Sequence, residues 1–222
     1  MRTVSSKYVD EVISTAVAPL LKGLGYRKHG RRFVLAGVLS TAHIRFQLSQ
    51  WNHAERTRFT MSVGRYFESI ARKNGEEVVL DSSKQRHMHV GIRIGHLLPQ
   101  QADHWWSIGN DDDVPKVAAE VVAALRDFGL PYLESVASLD GVAKLAGYTP
   151  RTGDHPTPSK ASALELLGRN EEADDVRKQL AALAARNTRA TNYPASGRSP
   201  QSAAGPRLCE NVNQTKRSSS KL

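Results

Sequence analysis

The stretches RRFVLAGV (31–38), AHIRFQLSQ (42–50) and RFTMSVGRY (58–66) decide the fold of this chain. In each, apolar and polar residues alternate with period two, the spacing at which successive side chains leave a strand on opposite faces. Phe33 and Leu35 share one face of the first, Ile44, Phe46 and Leu48 one face of the second, and Phe59, Met61 and Val63 line the third. His43, Arg45, Gln47 and Ser49 stand opposite the apolar residues of the second. Clean alternation predicts a sheet buried on one side only, as in antiparallel hairpins, and argues against a doubly wound parallel sheet. Gly37–Ser40 and Asn52–Arg56 read as connecting loops.

Working outward, Val9, Val12, Ile13, Ala16, Val17, Leu20, Leu21 and Leu24 form the single stripe of a helix from about Ser5 to Leu24. Pro19 is expected to bend or weaken its last turns, and Gly23 and Gly25 to stop it. Tyr26 to Gly30 reads as a turn. Beyond the third strand, Glu68 to Ser83 is ambiguous, an irregular excursion or a short helix near Gly75. His87–Ile94 is a fourth strand. His104–Ile108 is a fifth, with Trp105 and Trp106 on opposite faces and at least one of them capping the core. Asn110-Asp111-Asp112-Asp113 places a cap and acidic groups where a helix macrodipole favours them, and Pro115 fits a first turn. That helix is expected to end at Gly129, and a shorter one to run from Pro131 to about Leu145. The fold class is α+β: an antiparallel sheet of four to five strands packed against N-terminal and C-terminal helices.

A chain of 222 residues with 40% hydrophobic content suits one domain with appendages. We read residues 5–148 as the domain, 149–159 as a Pro/Thr-rich linker, 160–186 as a helical extension broken at Gly168-Arg169-Asn170, and 187–222 as a disordered basic tail. One helical hairpin cannot bury its own face, so the extension should pack on the domain, a partner or a second copy. A single cysteine, Cys209, excludes an internal disulfide framework and fits a reducing compartment. No signal sequence and no apolar run near the ~20 residues of a membrane span is visible. The expectation is a soluble, cytoplasmic protein. Ser220-Lys221-Leu222 matches a peroxisomal address but reads as coincidence in a chain of bacterial character.

The succession resembles the bacterial family of the domain of unknown function 4304. The shared points are Leu24-Gly25-Tyr26-Arg27-Lys28 ahead of the Phe33 strand, the Phe59–Gly64 strand, Arg93-Ile94-Gly95, Asp103-His104-Trp105-Trp106, and the helix ending in Leu130-Pro131-Tyr132-Leu133. The resemblance covers roughly Val9 to Leu145. It implies a compact α+β domain and carries no catalytic residue, since the family is named for having no assigned activity. Everything after Gly147 departs from a minimal member.

The net charge of +9 is uneven: Lys22–Arg65 holds nine basic residues and one acidic, and Arg186–Leu222 seven and one. Arg45, Arg58, Arg65 and Arg93, with Trp51, are therefore candidates for an anionic ligand. His87 and His89, two apart on a strand, point to one face as metal-binding pairs do. No carboxylate stands at a diagnostic spacing, so they join the ligand-binding set and no metal is assigned. Asp111-Asp112-Asp113 lacks a calcium-loop pattern and serves as a cap. No Gly-x-Ser-x-Gly turn or phosphate loop is present. The functional expectation is a noncatalytic interaction module for a protein or anionic ligand, without a cofactor and without a membrane. Two alternatives are a metal-dependent or hydrolytic enzyme using His87, His89 and a carboxylate such as Asp103, and nonspecific nucleic-acid binding through the basic hairpin region and tail.

Overall fold

The N-terminal stripe forms one helix in three pieces in the computed structural model, which describes residues 4–52, 56–85, 87–145, 148–149, 153–154 and 157–191. α1 (Val4–Val12) passes through a wide π-helical turn (Ile13–Val17) into α2 (Ala18–Gly23). Pro19 does not end the helix, and the α ladder is interrupted directly before it. It has no N–H to donate, and its ring crowds the carbonyl four residues back. The wide turn, closed by the Ala18 N–H on the Ile13 carbonyl, opens the ladder where the ring needs room.

β1 (Arg27–His29) and β2 (Arg32–Ala36) follow, joined by a tight turn at Gly30-Arg31 in which Gly30 takes φ 64°. β1 corrects the reading of Tyr26–Gly30 as a turn alone; three polar residues are too few to show a period. β3 (Thr41–Leu48), β4 (Thr57–Tyr66), α3 (Glu68–Asn74), β5 (Val90–Arg93) and β6 (Trp106–Ile108) come next. The six strands form one antiparallel sheet of order β1-β2-β3-β4-β5, with β6 also paired to β4. Phe33, Ile44, Val63 and Ile92 stand side by side across it, as do Leu48, Phe59 and Trp106.

These residues make the first, apolar face. Phe33, Phe46, Phe59 and Trp106 form a chain of ring contacts 6.4, 6.3 and 5.6 Å between centroids, each ring removing roughly 150–250 Å² from water. Val9, Val12, Val17 and Leu21 cover this face from the N-terminal helix, and Val114, Val117 and Val121 from α4 (Asp113–Ala124). The start of α4 is fastened by Asp113, whose carboxylate accepts from the Gly109 and Asn110 N–H groups at 2.7 and 3.3 Å.

Gly129 does not end that helix. A second wide turn (Leu125–Gly129) carries it into α5 (Leu130–Ser135), again just before a proline, Pro131. The glycine allows close approach: a Cβ there would sit 3.2 Å from Ile94 Cδ1, tighter than an ordinary contact. The helix read as running from Pro131 to Leu145 is interrupted, and α6 (Leu139–Lys144) restarts with Ser138 accepting from the Gly141 N–H. Where a plain linker was expected, Tyr148–Thr149 (β7) and Gly153–Asp154 (β8) pair as a small hairpin. α7 (Pro158–Leu166) and α8 (Asn170–Thr191) complete the described chain. α8 runs past Asn187, where the tail was expected to begin. Residues 192–222, with Cys209 and Ser220-Lys221-Leu222, lie outside the described residues.

α7 packs on the domain. Ala163 joins Phe67, Ile70, Val90, Val136 and Val142 in one apolar cluster, while Ala161 and Leu164 join Ala143, Ala173 and Val176 in another. The Glu165 carboxylate ties the layers, pairing Lys73 at 3.0 Å and Arg177. Among the described residues, no helix is long and apolar enough to cross a membrane.

Candidate functional site

Strand parity places Arg32, His43, Arg45, Arg58, Thr60, Ser62, Gly64, Tyr66, Gly91 and Arg93 together on the second face of the sheet. The expectation that this face meets water is corrected, because His43 and Thr60 are fully buried. Two covers account for this. At one end the loop before β6 crosses over, its His104 carbonyl accepting from the Thr60 hydroxyl at 2.8 Å. At the other, residues 76–85 lie across the strands, and Met88 fills the dent left by the facing pair Gly64 and Gly91.

The end beneath the β3–β4 hairpin is cationic and aromatic. Trp105 lies with the guanidinium carbons of Arg93 and Arg58 at 5.3 and 5.9 Å from its ring, contacts worth roughly 0.5–1 kcal/mol each at exposed sites. Asp103 accepts from the Trp105 indole N–H at 2.9 Å and from Arg93 at 2.8 Å. Burial pushes the Asp103 carboxyl up, but these two hydrogen bonds together with nearby positive charge, Arg93 foremost, outweigh it and hold the group below its ordinary range. Arg93 is thus spoken for. Arg58 and Arg56 are exposed and have no acidic partner among the described residues, Arg56 donating to the Ser107 hydroxyl at 2.7 Å. Asn52 locks the hairpin loop to the Arg58 backbone with bonds of 2.7 and 3.0 Å. Trp51, beside it in that loop, is 73% exposed.

The remaining sequence-predicted residues divide. Arg45 is half-buried, opposite Arg32 and Ser62 in the ladders. Arg65 lies on the apolar face in register with Ala42, is 9% exposed, and donates to the Leu133 carbonyl at 2.7 Å and the Ser40 hydroxyl at 3.1 Å. Burial lowers its affinity for the proton. Both bonds tie β4 to neighbouring backbone and loop inside the fold.

His87 and His89 come together with Glu76, their ligating atoms within 4.8 Å of one another. The hydrogen bonds at His89 decide what this cluster can do. Its Nδ1 accepts from the Phe67 backbone N–H at 3.0 Å, so in the neutral ring the proton is on Nε2, which donates to the Glu76 carboxylate at 3.1 Å. Neither nitrogen has a lone pair left for a metal or for abstracting a proton. Burial lowers the His89 pKa, opposed by Glu76. The Glu76 carboxyl is held down first by the Asn74 amide, 2.8 Å away, and then by His89. His96 and His104 do not join the cluster, and His104 instead meets Trp106 edge to face at 4.8 Å. Glu76 and Trp105 were missed as site residues. No spacing marks Glu76, which the excursion before β5 folds back toward the histidines.

A shallow cleft between the Trp105 loop and α4, lined by His104, Ser107, Lys116 and Glu120, encloses about 190 Å³. That is below the ~300 Å³ at which pockets begin to enclose small-molecule ligands. A family model described as Domain of unknown function (DUF4304) matches residues 17–135. No curated protein and no solved structure matches the chain.

Proposed function

The chain belongs to the family of that domain of unknown function, and from this premise we propose that it is a noncatalytic binding module whose hairpin end engages a negatively charged protein segment. The observation that carries the reading is Trp51, 73% exposed, beside Arg56 and Arg58, exposed cations with no acidic partner among the described residues. Exposed tryptophan and arginine together supply large contact area and charge, the composition of interface hot spots. Trp105 and Arg93 form a stiff floor next to them, braced by Asp103. The committed nitrogens of His89 weigh against the hydrolytic or metal-dependent alternative. The reading takes the cytoplasm as its compartment, supported by the single cysteine in the sequence.

The test is a tryptophan-fluorescence titration with poly-glutamate at low and high ionic strength. Saturable binding that weakens with salt, and is lost in the Arg56→Ala/Arg58→Ala double variant and in Trp51→Ala, is the expected result. No response at low ionic strength overturns the proposal. Preferential binding of a single-stranded oligonucleotide with a steep salt dependence replaces it with nucleic-acid binding.

A further inference from the structure

Residues 76–85 have no helix or strand, yet they are fastened to the second face at four points. The Val79 N–H donates to the Tyr66 hydroxyl at 3.2 Å, Arg32 donates to the Ser83 and Gln85 carbonyls at 2.6 Å each, and Glu76 holds His89. The fourth point is inside: Gln85, buried, meets His43, 0% exposed, with Gln85 Oε1 and His43 Nε2 3.0 Å apart. Because the Gln85 amide donates to the Val79 carbonyl at 2.7 Å, its oxygen must accept from His43. In the neutral imidazole the proton is therefore on Nε2. Its Nδ1 is buried with no hydrogen-bond partner among the described residues.

We propose that residues 76–85 are an acid-released strap, latched by neutral His43 and uncovering the second face of the sheet when His43 takes up a proton. The proton would arrive at Nδ1, which has no acceptor among the described residues, and an unpaired buried donor is costly. The charged groups facing the ring make it worse: Arg45 on its own strand and Arg32 on β2 both oppose a second positive charge. β4 brings only Gly64 opposite His43. The strap brings neutral Gln85, while Asp81 and Lys84 are exposed and pair with each other at 3.6 Å. Opening the strap hydrates the ring and removes the cost. Burial first, then these arginines, hold His43 at about 4 in the closed state, against about 6.5 in water. The closed state therefore binds fewer protons, and closure is strongest above the ordinary value and weakens as pH falls through that window. The inference is independent of the binding reading above, since it concerns the other half of the face.

Hydrogen exchange on the full chain tests it, with the Val79 and Lys84 amides reporting the strap and the β3–β4 ladder reporting global unfolding. After correction for intrinsic rates, strap opening should rise about tenfold per pH unit below roughly 6, while the ladder stays protected. In His43→Gln the strap should show no such dependence. Gln85→Ala, which removes the latch partner, should raise strap opening already at neutral pH. If His43→Gln does not fold, an NMR titration of wild-type His43 decides: a pKa near the ordinary value overturns the proposal. So does a strap equally protected from neutral pH down to about 4, or one that opens only together with the ladder.

Discussion

Arg65 and Arg58 lie seven residues apart on one strand yet belong to opposite faces, and replacing each separates a structural arginine from a binding one. Arg65→Met keeps the length of the buried stem and removes the guanidinium. Two acceptors then lose their donor inside the protein: the Leu133 carbonyl at 2.7 Å and the Ser40 hydroxyl at 3.1 Å. The carbonyl belongs to the last turn of α5, where a cation also answers the helix dipole. Ser40 keeps its bond to the Ala137 carbonyl, so its loss counts less. An orphaned buried acceptor costs about 1–3 kcal/mol, and the relief of no longer burying a charge offsets part of this. The expected net loss is about 1–3 kcal/mol, a fall in Tm of roughly 2–12 °C for a chain of this size. Urea denaturation followed by circular dichroism measures it. Arg58→Met, exposed and bonded through its backbone, loses only its contact with Trp105 and should stay within about 1 kcal/mol of wild type while weakening poly-glutamate binding. A stable Arg65→Met that loses binding would show that the arginine assignment is inverted.

Gly64→Ala should destabilise by about 2 kcal/mol or more, because the new Cβ would meet the Val90 carbonyl at 2.3 Å and Gly91 Cα at 2.7 Å, both backbone; a Tm unchanged within error would contradict the packing at this pair. Trp106→Ala should cost about 3–5 kcal/mol through its stack on Phe59. Trp105→Ala, on the opposite face, should cost clearly less and mainly lower affinity, so equal losses by thermal melts would count against the two-faced sheet. Ending the chain before Thr157 strips α7 from Phe67, Ile70 and Val142, and should lower the urea midpoint markedly. Ending it after Thr191 should leave the midpoint nearly in place.

The apolar face was legible because period two survives in the sequence wherever one side of a strand is consistently greasy. Phe59, Met61 and Val63 announce β4, and the same count of two reaches Arg65, so its place on the buried face could have been read too. Its charge drew it into the ligand set instead. The second face was less legible. Nothing in the spacing of His43 says that Gln85, 42 residues later, will roof it, because irregular backbone has no period to detect. The π turns escaped for a related reason. Pro19 and Pro131 each signal that a helical ladder must give way, but the local sequence does not say whether by kinking, stopping or widening. Glu76 is near His89 only because α3 ends at Gly75 in a left-handed turn, φ 70°, which sends the chain back toward β5.

That turn also explains why the helices beyond the family match belong with the rest of the fold. The Ser162 hydroxyl on α7 donates to the Asn74 side-chain oxygen at 2.6 Å, and the Asn74 amide in turn donates to Glu76 at 2.8 Å. Glu76 accepts from His89, and His89 accepts the Phe67 N–H at the entrance to α3. Each donor in this line is fixed by the acceptor it has already committed, so rotating any one side chain leaves a neighbour unpaired. Lys73 and Glu165 brace the same junction from outside at 3.0 Å. The matched segment ends at residue 135, yet the groups orienting Glu76 come from α3 and from α7. The extension therefore reaches the first residue of the strap through Asn74, and the second face of the sheet is shaped in part from beyond the matched segment.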